Sequence, residues 1–190
     1  CESFDLGDPL TGDWRGFYFD NSDSVLKNIV IKYADYGIDL YNSSLDIQNI
    51  TIEEANEGIT AYEDSSVDLN GGVFKGLQQD ALSFFENSDL FASGVQIMDG
   101  GFGFNNLIAI FNNSSASFQG LILDGAQHDP IAVFNDSSFS AENLEIRNIV
   151  GQSSETIALF NGSELVLKNS RFEDCPYDAC IVFFDELDSL

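Results

Sequence analysis

One phrase recurs throughout this chain: two apolar residues flanking a third position, an aromatic residue, a turn of Asn, Asp and Ser, then a short alternating stretch. Its instances are FYFDNSDSVLKN, IDLYNSSLDIQN, ITAYEDSSVDLNG, LSFFENSDLFASG, IAIFNNSSASFQG, IAVFNDSSFSAEN, IALFNGSELVLKN and IVFFDELDSL. The aromatic anchors are Phe19, Tyr41, Tyr62, Phe85, Phe111, Phe134, Phe160 and Phe184, spaced by 22, 21, 23, 26, 23, 26 and 24 residues. Repetition with a period of roughly 20–50 residues is the signature of a solenoid, in which each repeat buries its apolar side only against its neighbours.

Each repeat holds three period-2 runs of about four to five residues between turn residues, and none is long enough for an ordinary helix. The same run returns in the same phase, so like strands stack on like. The expected fold is all-β, a single-stranded right-handed parallel β-helix of about eight coils of 21–26 residues with three short strands per coil. Residues 1–13 read as a lead-in or cap and 14–190 as the solenoid, the whole being part of a longer chain. One inward column is Ile38, Ile59, Leu82, Ile108, Ile131, Ile157 and Ile181; a second, in the third strand, is Ile31, Ile52, Phe74, Ile97, Leu123, Ile146 and Phe172. Before that third strand stand Asn28, Asn49, Gly71, Gly94, Gly120, Asn143 and Asn169, residue types that tolerate positive φ, which predicts a left-handed corner there.

Composition narrows the partners. Among 190 residues, 32 acidic against 7 basic side chains give a net charge of −25, which repels nucleic-acid phosphates and anionic lipid. No apolar run approaches the roughly 18 residues of a transmembrane segment. With one histidine, His128, a multi-histidine metal site is excluded. Cys175 and Cys180 are a disulfide candidate, with two unpaired thiols as the alternative; Cys1 is either a lipidated N-terminus or a fragment boundary.

The repeats and their Asn corners resemble the right-handed parallel β-helices of the pectate-lyase-like superfamily, over about residues 14 to 184. The opening DWRGFYFDNSDSVLKNIVIKYADYGIDL, with Trp14, Gly16, Phe17 and Phe19 in a W-x-G-[IF]-x-F phrase, is most similar to surface β-helix modules of bacteria and archaea. The resemblance implies a secreted or cell-surface location. It does not choose a function, because lyases, hydrolases, tailspikes and adhesins share this fold.

The enzyme marks of that family are missing from the sequence. There is no DD pair, GHG or RxK phrase, and the coils differ by at most five residues, leaving no long loop to build a cleft. Lys32, Lys75 and Arg147 share one outward ladder position where a lyase would keep its base, but acids alternate with them as on a solvated face. The acidic turn residues Asp20, Glu63, Asp64, Glu86, Asp136, Asp185 and Glu186 line one edge; they read as a solvated edge or as calcium ligands, so no cofactor is required and Ca²⁺ is the one admitted. Strand parity turns the anchors outward, making Tyr41, Tyr62, Phe85, Phe111, Phe134 and Phe160 the candidate ligand or partner face, for a polysaccharide or a neighbouring protein subunit; a pleat break would instead turn the rings into the core. The expected function is a non-catalytic structural or adhesive module; a carbohydrate-active enzyme and a subunit of an extracellular fibre or sheath are the alternatives.

Overall fold

The structure is a computed structural model, described here for residues 8–103, 105–150, 155–173 and 179–184. It is a parallel β-solenoid of about seven turns. One sheet stacks β1 (Phe17–Asp20), β3 (Tyr36–Tyr41), β5 (Glu57–Tyr62), β7 (Leu82–Phe84), β9 (Ile108–Phe111), β11 (Ile131–Phe134), β13 (Glu155–Phe160) and β16 (Ala179–Phe184) in chain order. The other stacks β2 (Asp23–Lys32), β4 (Ser44–Glu53), β6 (Ser66–Lys75), β8 (Asp89–Met98), β10 (Ser115–Asp124), β12 (Ser138–Arg147) and β14 (Glu164–Lys168), with β15 (Arg171–Phe172) also pairing to β12.

The second and third runs of each repeat are not separate strands. From β2 to β12 they form one ten-residue strand, bent at a single residue. That residue is the predicted Asn/Gly corner: φ is 54° at Asn28, 58° at Asn49, 77° at Gly71, 61° at Gly94, 77° at Gly120 and 60° at Asn143. One left-handed residue turns the chain and skips one register partner, so the ladder resumes immediately on the next face. In the last turn the same corner, at Asn169, separates β14 from β15.

The inward columns hold. Ile38, Ile59, Leu82, Ile108, Ile131 and Ile157 are fully buried, as are Ile52, Phe74, Ile97 and Ile146 to within one per cent. One anchor is displaced. Phe19 pairs in register with Leu40 and packs against the core, so Asp20, not Phe19, occupies the anchor position beside Tyr41. The first repeat is one residue out of phase with the others, which the apolar phrase FYF conceals.

The turn after the anchors contains a ladder that the composition disguised as ordinary turn serine. Ser43, Ser65, Ser88, Ser114 and Ser137 are all at most 5% exposed. Each accepts a hydrogen bond from the backbone N–H of the equivalent serine one coil earlier, at 3.1 Å from Ser22 and Ser43, 3.2 Å from Ser65, 3.1 Å from Ser88 and 3.3 Å from Ser114. The hydroxyl of Ser88 in turn donates to the Phe85 carbonyl at 2.7 Å. Replacing Ser88 with alanine strips the buried Ser65 N–H of its acceptor, and an unmet buried donor costs about 1–3 kcal/mol. Denaturant unfolding of Ser88→Ala should show a loss of that size.

Candidate functional site

The sheet of β1 to β16 carries the candidate face, which has three parallel columns. The outermost is the aromatic one. Tyr41, Tyr62, Phe85, Phe111, Phe134, Phe160 and Phe184 form one continuous stack, with neighbouring centroids 4.5–4.9 Å apart and ring planes within 15° of each other. Coil spacing in a parallel sheet is about 4.8 Å, so rings leaving equivalent positions must meet face to face. The six predicted positions are therefore brought together, half-buried and outside the apolar interior. Phe184 extends the stack, and Tyr18 leans on Tyr41 at 5.6 Å with a 41° tilt. Because each ring lies against the next, the column offers its edges to the surroundings. Pyranose stacking requires a free ring face, and an interior ring here has none.

Beside the rings runs a column of small residues: Asp39, Thr60, Ser83, Ala109, Ala132 and Ala158. They alternate with the inward residues and so point outward, yet none is more than 4% exposed. The rings on one side and a polar row on the other cover them, which is why only small or short side chains stand there.

That polar row is Tyr36, Glu57, Asp80, Asn106, Asp129 and Glu155. Thr60 Oγ1 donates to Glu57 at 2.9 Å; Ser83 Oγ and the Asn106 backbone N–H donate to Asp80 at 3.0 and 2.8 Å. Burial holds the carboxyls of Asp39, Glu57, Asp80 and Asp129 above the usual range, against the opposing pull of Arg15 on Asp39 and of His128 on Asp129. Arg15 Nη2 stands 4.0 Å from Asp39, with its guanidinium 5.1 Å from the Tyr18 ring centroid, while His128 Nδ1 is 3.7 Å from Asp129. The second oxygen of Asp39 has no hydrogen-bond partner.

A carboxyl raised on folding binds its proton more tightly in the folded chain. The burial penalty is therefore full at neutral pH and is relieved as pH falls through the raised values toward about 4, the unfolded value. Asp124 acts oppositely: Asn148 and Arg147 hold its carboxyl below the usual range, and that stabilisation is lost only at lower pH. The thermal midpoint should rise on acidification from pH 7 to about 5 and fall below about pH 4. Thermal scans at fixed ionic strength would show this; a midpoint that falls steadily from pH 7 would refute it.

The lyase-type base positions lie on the other sheet. Lys32 pairs with Glu53 at 2.5 Å, and Arg147 with Asp124 and Glu145 at 2.9 and 2.7 Å. The hydrogen bonds that Lys32 and Arg147 donate to their carboxylate partners raise both pKa values, the wrong direction for a base. Lys75 lies in the same column, between Glu53 and Met98. Along the acidic edge, Glu63, Asp64, Glu86 and Asp136 sit at left-handed turn positions, and among the described residues no three His, Cys, Asp or Glu side chains converge as metal ligands do. Cys180 is disulfide-bonded, and the predicted partner Cys175 lies outside the described residues, as do Cys1, the first seven residues of the expected lead-in, and Asp185 and Glu186 of the acidic edge. No helix among the described residues is long and apolar enough to cross a membrane. Compared with protein-family models, curated proteins and solved structures, the chain matches none of them.

Proposed function

We propose that this chain is a non-catalytic module of the pectate-lyase-like β-helix kind, secreted or held at a cell surface, with a structural and adhesive role. The observation that carries this is the unbroken regularity of the rod. Every inward column, the serine ladder and the ring stack continue from coil to coil, and the turns between them are short. Such a body is stiff, and its charge of −25 keeps it solvated and apart from other polyanions. The half-buried ring edges form an apolar stripe suited to a neighbouring protein surface, and the polar sheet faces suit a polysaccharide.

One observation favours a second reading, a carbohydrate-active enzyme: the carboxyls of buried Asp39 and half-buried Glu57 and Asp80, on adjacent coils, are all raised by burial, and a carboxyl that keeps its proton is the general acid of glycoside hydrolysis. One experiment separates the two. The chain is incubated with neutral and acidic polysaccharides, with and without calcium, while retention and new chain ends are recorded. Retention without new ends is the expected outcome. New ends would overturn the non-catalytic reading and direct mutagenesis to Glu57 and Asp80.

A further inference from the structure

On the sheet opposite the ring stack, the outward column of β6 to β14 reads Asp68, Phe91, Ser117, Ser140 and Val166. Two apolar side chains, Phe91 at 59% and Val166 at 51% exposure, thus stand three coil spacings apart, about 14 Å. Between them the column drops to the two serines, and a shallow trough opens, flanked by Gln119 and Glu142. Phe91 differs from the ladder aromatics in one decisive respect. Its column neighbours are Asp68 and Ser117, and among the described residues no other ring covers it, so more than half of its surface is open. Among the described residues the Ser117 and Ser140 hydroxyls make no side-chain hydrogen bond, and each can both donate and accept.

We propose that this trough binds an uncharged pyranose polysaccharide, one sugar ring lying against Phe91 and its hydroxyls reaching Ser117, Ser140 and Gln119. The proposal rests on the adhesive reading above and supplies its sugar-binding face. A peptide strand is disfavoured because β8, β10 and β12 are each paired on both sides and leave no backbone edge to extend. An amphipathic helix needs a continuous apolar stripe, and here Ser117 and Ser140 separate Phe91 from Val166. Among the described residues Lys168 is the one cation of the trough lining, against Asp68, Glu142 and the net charge of −25, and this balance disfavours a polyuronate.

The test is affinity electrophoresis of the whole chain in gels containing hydroxyethyl cellulose, glucomannan or xyloglucan, with alginate as the acidic counterpart. At least one neutral polymer should retard the protein. Phe91→Ala, and independently Ser140→Trp, which fills the trough, should each weaken that retardation about tenfold or more. Both positions are at the surface, and circular dichroism confirms that each variant stays folded. Full retention by both variants would overturn the trough while leaving polysaccharide adhesion standing. Loss in Phe111→Leu with Phe91→Ala unaffected would assign the sugar to the ring stack and equally overturn the trough. Tighter binding to alginate would overturn the uncharged class. Absence of retardation by every polymer would overturn both the trough and polysaccharide adhesion.

Discussion

Gly58→Ala is expected to cost about 3 kcal/mol or more, although it adds a single methyl group. A Cβ at Gly58 would lie 2.0 Å from the Ala81 carbonyl oxygen and 2.9 Å from its carbon. These are backbone atoms of the next coil, so no side-chain rotation relieves the clash. The backbones must part, and the parting falls where the Gly58 N–H donates to the Asp80 carbonyl at 3.1 Å and the Ile59 N–H to Ala81 at 2.9 Å. The damage should spread along the seam between β5 and β7 rather than through the whole rod, because each coil touches only its neighbours. Hydrogen exchange read coil by coil would show protection lost first around residues 58–60 and 80–83. Uniform loss, or none, would contradict this account of the seam.

The second large effect is at Phe74. It is fully buried, in a column with Ile52 before it and Ile97 after it. Phe74→Ala removes most of a large side chain from a core whose walls are hydrogen-bonded sheets and cannot collapse inward, so the upper part of the usual range applies, about 3–5 kcal/mol. Phe91→Ala, one coil away but outward, should change stability by no more than about 0.5 kcal/mol. Denaturant unfolding of the two variants side by side checks both values, and similar losses would mean that the assignment of inward and outward columns is wrong.

The repeat carried most of the fold because a solenoid states each structural decision several times. Seven residues at one column position agree on being apolar, and seven corners agree on Asn or Gly. Where a position is stated once, the reading failed: Phe19 satisfied the phrase, but nothing in a single instance distinguishes FYF from the same pattern displaced by one. The join of the second and third strands was hidden because a left-handed residue looks like a turn in sequence, whether or not the ladder continues through it. The serine ladder was visible as composition but not as burial; serine at a turn ordinarily faces water, and only coil stacking encloses it. The ring column was found, whereas its chemistry was not. Whether aromatic side chains present faces or edges depends on the spacing between coils, and the sequence of any one coil is silent about its neighbour. Phe91 is inconspicuous in the sequence because its column mixes Asp68, Ser117, Ser140 and Val166 and repeats no residue type that would mark it.

The serine ladder gives the rod a sense of direction. Each N–H reaches toward the following coil for its acceptor and never toward the preceding one, so the two ends of the stack present different needs: one offers an oxygen, the other a hydrogen. A coil spliced into the middle would be accepted only if it satisfied both, supplying a hydroxyl backward and an amide forward at the same point of its contour. Coils of this chain should therefore be exchangeable parts with a polarity, like tiles keyed on opposite edges. A shuffled rod that keeps serine at this point should stack in register, and one that puts valine there should come apart at that joint.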